Sequence, residues 1–211
     1  MNNHDLCGII SCISDKMDQN REELTYMDQQ NGDGDLGISI CAGYHAVLDY
    51  LKSTEETDLG RLLNKAADRF NEAAPSSLGT ITAFGFKGMA IKLKGKQDAS
   101  LAETATAMKA GLERIMERAG SKPGEKTILD ALVPGVAALE RMADKPISCA
   151  VSEAARCARA GSESTKQMRA VWGRAAYYGE QSIGILDGGS VVGALIFEGI
   201  AAYVQQVAAA N

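Results

Sequence analysis

Apolar residues recur every three or four positions along most of this chain, which is the spacing of amphipathic α-helices. The first such segment has Asp5 as its expected cap. Its apolar side chains share one face, formed by Leu6, Ile9, Ile10, Ile13 and Met17. Strand-like alternation of apolar and polar residues is almost absent. The pattern therefore predicts a protein built almost entirely of helices.

Seven further segments have the same period, and they cover residues 39–51, 59–70, 83–93, 101–115, 128–142, 148–170 and 190–209. Ser100 and Glu103 form an expected capping box for one helix, and Thr127 is the expected cap of the next. Pro134 lacks the N–H that would bond to the carbonyl four residues earlier, so we expect a kink there. Residues 75–80 are typical of a turn. The sequence thus predicts an all-α bundle or barrel of about eight antiparallel helices.

Composition narrows the class of protein. The chain has 211 residues, of which 45% are hydrophobic, and we expect a single domain over residues 1–211. The net charge of −5, without a run of basic residues interleaved with aromatics, argues against nucleic acid as a partner. The five cysteines contain no C-x-x-C pair, so neither a disulfide framework nor a zinc site is predicted.

Two observations bear on location. Residues 1–5 lack the basic region of a signal peptide. The most apolar window, residues 191–207, is interrupted by Glu198, Gln205 and Gln206, which predicts a buried helix rather than a membrane span. We therefore expect a cytoplasmic protein without a membrane partner.

The segment from Asp28 to Gly37 contains three carboxylates and three glycines in ten residues. Carboxylates this close repel one another unless they are solvated or gathered around a hard cation such as Mg²⁺. Asp28, Asp33 and Asp35 are accordingly the candidate metal ligands. A solvated acidic turn, with its glycines at positive φ, stays open as the alternative.

Two familiar loops fit this segment poorly. Gly32, Gly34 and Gly37 match the spacing of a dinucleotide-binding loop, but the residues before them do not read as a strand. An EF-hand would need a glutamate where Tyr44 or Ala42 stands, so calcium binding of that type is excluded.

A second glycine-rich segment runs from Gly173 to Gly184 and continues into residues 187–190, where a helix is expected to begin. Backbone N–H groups at a helix start, together with the guanidinium of Arg174, would suit a phosphate group. The alternative is a structural loop whose Arg174 pairs with an acidic neighbour.

Four motifs follow one another along the chain. They are Leu24-Thr25-x-x-Asp28-x-x-x-Gly32-Asp33-x-Asp35-x-Gly37, Ser76-Ser77-x-Gly79, Pro123-Gly124-Glu125-Lys126-Thr127-x-x-Asp130 and Gly173-Arg174-Ala175-x-Tyr177-x-Gly179-Glu180-x-Ser182-Ile183-Gly184. In this order they resemble the ADP-binding L-subunit family of dihydroxyacetone kinases, over nearly the whole chain. The resemblance implies a barrel of eight antiparallel helices, with ADP or ATP and two Mg²⁺ ions bound in the loops at one end.

The resemblance also implies roles for individual residues. Asp28, Asp33 and Asp35 become the Mg²⁺ ligands. The implied nucleotide contacts are Leu36, Gly37, Ser39, Gly79, Thr80, Thr82, Thr127, Ile128, Arg174, Asp187, Gly188 and Gly189. No protein nucleophile is implied.

This chain departs from the family pattern at several of these positions. Where the family has a Gly-Ala-Ser-Gly phosphate loop, residues 80–83 read Thr-Ile-Thr-Ala, so both glycines are lost. The family's histidine after the third aspartate is Leu36, and Ile185-Leu186 replace another histidine-bearing stretch. These changes bear on how phosphate is held.

The implied function is phosphoryl transfer to a small ketose held on a separate K-type subunit, with ATP or a phosphotransferase-system protein as the phosphoryl donor. His4 and His45 are poor candidates for holding the ketose, since His4 is expected in a mobile terminus and His45 on a helix face. Two alternatives stay open: a regulatory subunit with weakened nucleotide binding, and a kinase subunit for another ketose such as a tetrulose.

Overall fold

The computed structural model describes residues 1–210, and within them the regular structure is helical with no strand. The α-helices are α1 (Asn3–Gln19), α2 (Arg21–Asn31), α3 (Leu36–Ser53), α4 (Leu59–Ala73), α5 (Ser77–Leu93), α6 (Leu101–Ala119), α7 (Leu129–Arg141), α8 (Ile147–Ser164) and α9 (Gly188–Ala210). Two 3₁₀ segments, Thr165–Gln167 and Arg174–Ser182, lie between α8 and α9. The all-α prediction is confirmed.

Eight of these helices form a closed ring. Each helix from α3 to α8 packs against the next helix in the chain. Helix α9 packs against α1, and α1 closes the ring by packing against α3. The short helix α2 lies between α1 and α3 and contacts α3 and α9. The apolar faces predicted from the helical period point into this ring and form one continuous core.

The ends of the helices follow from local capping. The predicted box at α6 is present, because the Ser100 hydroxyl accepts from the Glu103 N–H and the Glu103 carboxylate accepts from the Ser100 N–H. At α1 the prediction of Asp5 as the cap was wrong. Asn2 is the cap, and Asp5 is the third helical residue, whose carboxylate completes a second capping box. His4 accordingly lies within α1.

Several predicted boundaries also shift. Helix α5 begins at Ser77 rather than at residue 83, because the Ser76 hydroxyl accepts from the Gly79 N–H and caps the helix there. Helix α3 begins three residues before the predicted position, at Leu36. Helix α8 ends at Ser164, where the predicted helix ran on to residue 170. Helix α2 has no counterpart among the predicted segments.

Pro134 lies inside α7, as predicted. The carbonyl oxygen of Asp130 has no N–H partner at Pro134, and Gly161 of α8 lies directly against it. A Cβ at Gly161 would clash with this oxygen. The missing hydrogen bond thus lies at a close contact between α7 and α8.

Helix α9 is the one helix among residues 1–210 that is long and apolar enough to cross a membrane by length and composition. Half of its most apolar window is buried within the barrel. It packs against α1, α7 and α8, which agrees with the predicted buried helix.

Candidate metal and nucleotide site

The three predicted metal ligands come together at one end of the barrel. Asp28 lies in the last turns of α2, and Asp33 and Asp35 lie in the connection to α3. One carboxylate oxygen from each lies within 4.8 Å of the others. The turn is held by the Asp28 Oδ2 atom, which accepts from the N–H groups of Gly34 at 2.8 Å and Asp35 at 3.1 Å.

The cluster is electrostatically strained. The pKa of Asp35 is raised, chiefly because partial burial removes water and also because Asp33 and Asp28 repel its charge; Arg174 acts in the opposite direction. Three oxygen donors of this kind match the preference of Mg²⁺ for hard ligands. The donor set therefore fits the cation that the sequence predicted.

Arg174 reaches this cluster from the segment between α8 and α9. Its Nη2 atom lies 2.6 Å from the Oδ2 atom of Asp33, and both side chains are exposed. Arg174 therefore pairs with an acidic neighbour, as expected if the segment were a structural loop. Because the neighbour is a candidate metal ligand, the ion pair also brings the two predicted halves of the site together.

The N-termini of three helices meet beside the carboxylates. The hydroxyls of Ser39 on α3 and Ser76 at the start of α5 are 2.8 Å apart. A Cβ at Gly188, the first residue of α9, would lie 2.6 Å from a methyl group of Leu36, the first residue of α3. Free N–H groups and helix dipoles favour anions at such ends. The arrangement can therefore bind phosphate oxygens.

Asp187 caps the last of these helices. Its Oδ2 atom accepts from the Ser190 N–H at 2.7 Å. Burial raises the pKa of Asp187 to about 6, with Asp130 and Asp28 adding repulsion, while the Ser190 N–H and Lys126 favour the charged form. The carboxylate thus lies within the electrostatic range of the acidic cluster.

The segment before α7 lies against this cap. Asp130 accepts from the N–H groups of Gly124 at 2.5 Å and Thr127 at 2.7 Å, which fixes the turn between them. A Cβ at Gly189 would lie 3.6 Å from the backbone nitrogen of Ile128. Ile128 therefore adjoins the loop of Asp187, Gly188 and Gly189.

Residues 80–83 do not form the expected phosphate loop, because they lie within α5, as does Gly79. The Thr82 hydroxyl donates to the Leu78 carbonyl of its own helix, and the side chain lines the pocket that extends into the barrel. The Thr80 hydroxyl donates to Asn71. Gly79 packs against the Ala74 carbonyl. The structure therefore brings the start of α5 to the site through Ser76, without Thr82.

Leu36 and Gly37 have packing roles that the sequence did not reveal. Leu36 is buried. Gly37 is equally buried, and a Cβ there would clash with the carbonyl oxygen of Arg21 and the hydroxyl of Thr25 on α2. Gly37 therefore allows α2 and α3 to approach closely enough to bring Asp28 to the other two carboxylates.

Lys126 is a charged residue to which the sequence motifs assign no role. Its side chain is only 4% exposed, and it lies between the Thr127 turn and the segment that carries Arg174. It was part of a recognised motif, but no role followed from the sequence. The available signal was a lysine placed between a Pro-Gly turn and the apolar start of a helix.

A helical barrel with an acidic cluster and three helix N-termini at one end defines a class of proteins that can hold a metal–phosphate group. The family model for the DAK2 domain matches residues 30–202. The chain belongs to this family, which confirms the resemblance seen in the sequence.

Relatives with curated descriptions fall into two groups by length. The L-erythrulose kinase of Pectobacterium atrosepticum is 30% identical over 205 residues, which are 94% of this chain but 34% of the relative. This chain thus spans about a third of that protein. The PEP-dependent dihydroxyacetone kinase 1, ADP-binding subunit DhaL, of Listeria innocua is 31% identical over 187 residues, 88% of each chain. Its counterpart in Escherichia coli is 29% identical over 171 residues, 80% of this chain and 81% of the relative.

The fold also matches a solved structure. The dihydroxyacetone kinase of C. freundii, in its native form, superposes with a TM-score of 0.74 at 23% identity. The match covers 93% of this chain and 34% of that one. At this identity the likeness concerns the fold alone.

Proposed function

We propose that this chain is the Mg²⁺- and nucleotide-binding phosphotransfer subunit of a kinase whose substrate is a small ketose. The observation that carries the proposal is the cluster of Asp28, Asp33 and Asp35, with oxygens within 4.8 Å of one another, beside the N-termini of α3, α5 and α9. The relatives named as kinases or as ADP-binding kinase subunits support the same reaction class.

The residues divide the work of holding a nucleotide. The three aspartates would hold Mg²⁺. The family resemblance implies two such ions. When bound, Mg²⁺ neutralises charge on phosphate oxygens. The guanidinium of Arg174 and the N–H groups at the start of α9 would stabilise the negative charge of the transferring phosphoryl group. Thr127 and Ile128 would enclose the base, and no side chain needs to act as a nucleophile.

The ketose site is assigned to a separate K-type subunit. Two relatives of matching length are described as ADP-binding subunits, whereas the L-erythrulose kinase is about three times as long as the matched region. These two lengths support a ketose-binding part on another chain. The proposed location is the cytoplasm. The phosphoryl donor would be ATP, or a phosphotransferase-system protein that rephosphorylates bound ADP, as the PEP-dependent relatives favour.

A regulatory subunit with weakened nucleotide binding is the second candidate. Leu36 favours it, because an apolar side chain packed against Gly188 offers phosphate no hydrogen bond. A tetrulose in place of dihydroxyacetone as substrate is favoured by the two relatives named for L-erythrulose. A panel of small ketoses tested with the cognate K-type subunit would separate these possibilities.

Thermal unfolding with ADP, with Mg²⁺ and with both tests the proposal. We expect the wild type to gain about 5–10 °C with both ligands at a hundred times Kd, since this saturation stabilises by about 2.7 kcal/mol. Asp33→Asn should lose most of this gain. Asp144→Asn, a change at a highly exposed residue between α7 and α8, should keep it. A wild type that neither ligand nor their combination stabilises would sink the proposal.

A further inference from the structure

Lys126 combines two features that are unfavourable in a folded protein. Its φ angle is +62°, and within residues 1–210 it is the one non-glycine residue with a positive φ. Its side chain is 4% exposed. Backbone strain and a buried charge both persist only where the surroundings enforce them.

The ammonium group of Lys126 joins two distant parts of the chain. Its Nζ atom donates to the carbonyl oxygen of Thr165 at 2.7 Å and to that of Ile185 at 2.5 Å. These carbonyls lie at the two ends of the segment 165–185, which carries Arg174. One positive charge therefore closes the base of the loop that presents the arginine.

The same ammonium is linked to the cap of α9. The Thr165 hydroxyl accepts from the Asp187 N–H at 3.1 Å, so the residue that Lys126 binds also holds the start of the Asp187 loop. The charged groups facing Lys126 are the carboxylates of Asp187 and Asp130, which attract it. Burial opposes the charge. The carboxylates and carbonyls together compensate a charge that would otherwise be excluded from this position.

We propose that Lys126 is a positioning residue for nucleotide binding: its ammonium holds the segment 165–185 and the start of α9 in the arrangement that presents Arg174 and the α9 N–H groups to phosphate. The inference rests on the function proposed above and adds a residue to it. If Lys126 served packing alone, a glycine would adopt this φ with less strain, and an apolar side chain would be buried at a lower cost in free energy.

Two variants separate the charge from the backbone conformation. Lys126→Met keeps an unbranched side chain one atom shorter and removes the charge, whereas Lys126→Gly also relieves the positive φ. Lys122→Met is the matched control, since it removes an exposed lysine from the same loop. Calorimetric titration with Mg²⁺–ADP measures nucleotide affinity. Electron paramagnetic resonance with Mn²⁺ alone measures the affinity of the acidic cluster for a metal ion.

Both Lys126 variants should bind Mg²⁺–ADP at least about tenfold more weakly than the wild type, because the charge-assisted hydrogen bonds that order the loop are lost. Their affinity for Mn²⁺ alone should be unchanged or higher by up to about fivefold, because a released loop no longer holds Arg174 against Asp33. Lys122→Met should bind both normally. Added n-butylammonium, which matches the deleted side chain, should restore part of the nucleotide affinity of Lys126→Gly, whereas 1-butanol, which fills similar space without the charge, should not.

Wild-type Mg²⁺–ADP affinity in a folded Lys126 variant would overturn the inference while leaving the proposed function intact. Equal losses of Mn²⁺ and Mg²⁺–ADP binding in both variants would also overturn it, since they would indicate a general defect. If Lys126→Met does not fold, Lys126→Gly decides. A wild type that does not bind Mg²⁺–ADP would refute the proposed function and this inference together.

Discussion

The guanidinium of Arg174 and a bound metal ion would compete for the same carboxylate, that of Asp33. The guanidinium lies 2.6 Å from Asp33, in a cluster whose carboxylates otherwise repel one another. The arginine thus neutralises part of the acidic charge of this cluster. In the proposed nucleotide complex, the same guanidinium would instead face phosphate oxygens. Arg174 should therefore weaken the binding of a metal ion alone and strengthen the binding of the nucleotide.

Arg174→Gln tests this opposition. We expect the affinity for Mn²⁺ alone to increase by up to about fivefold, because an exposed ion pair contributes up to about 1 kcal/mol. The affinity for Mg²⁺–ADP should decrease by about tenfold or more, because a charge-assisted hydrogen bond to phosphate is lost. Paramagnetic resonance and calorimetry measure the two constants.

Arg169→Gln is the control for this pair of measurements. Arg169 lies within the same segment and pairs with Glu180 at 3.4 Å, so its ion pair does not involve the three aspartates. Neither constant should change. Losses of both affinities in Arg174→Gln would contradict the opposed roles and would indicate that the arginine mainly supports the acidic turn.

At the scale of the helices, close contacts between backbones decide where the site residues lie. Gly37 on α3 faces the carbonyl oxygen of Arg21 on α2, with no room for a side chain. Asp28 is carried by α2, whereas Asp33 and Asp35 immediately precede α3. The distance between these two helices therefore sets the spacing of the carboxylates.

Gly37→Ala should disturb both stability and metal binding. The added methyl group meets backbone atoms that cannot rotate away, so we expect a loss of about 1–3 kcal/mol in the free energy of unfolding. The forced separation of α2 and α3 should also weaken Mn²⁺ binding. Urea unfolding and paramagnetic resonance provide the measurements.

Gly85→Ala is a matched helical control. A Cβ at Gly85 would meet only the end of the Ile115 side chain, at 3.2 Å. We expect a change of less than about 1 kcal/mol, since alanine favours the helix and the side chain can adjust. Unaltered stability and metal affinity in Gly37→Ala would show that the contact between α2 and α3 does not set the carboxylate spacing.

At the scale of the whole molecule, ring closure leaves internal space. A pocket of about 490 Å³ extends from the surface, at exposed Ile147, into the barrel, and it is lined mainly by apolar side chains, including Leu132 of α7. Leu129 of the same helix is fully buried and does not line this pocket. Two leucines one turn apart therefore differ in how completely they are surrounded.

Replacing each leucine with alanine should reveal this difference. We expect Leu129→Ala to lower the free energy of unfolding by about 3–5 kcal/mol, as in tightly packed cores. Leu132→Ala should cost only about 1–2 kcal/mol, because a side chain bordering a void has fewer partner atoms to lose. Urea unfolding measures both, and equal losses would indicate that the barrel interior is filled in solution.

The sequence alone determined the helical class, the capping box at Ser100 and the family. These features are local or ordered along the chain: a period of 3.6 residues, a hydroxyl three residues before a carboxylate, and motifs in a fixed order. It also singled out Asp28, Asp33 and Asp35, because three carboxylates within eight residues must repel unless something compensates them.

Only the tertiary structure decided which of these residues meet. The pairing of Arg174 with Asp33, the burial of Lys126 between Thr165 and Ile185, and the turn of Thr82 into the barrel all depend on ring closure. Periodicity shows which face of a helix is apolar, but it contains no information about which helix ends become neighbours. Packing of backbones at contacts such as Gly37 supplies that information.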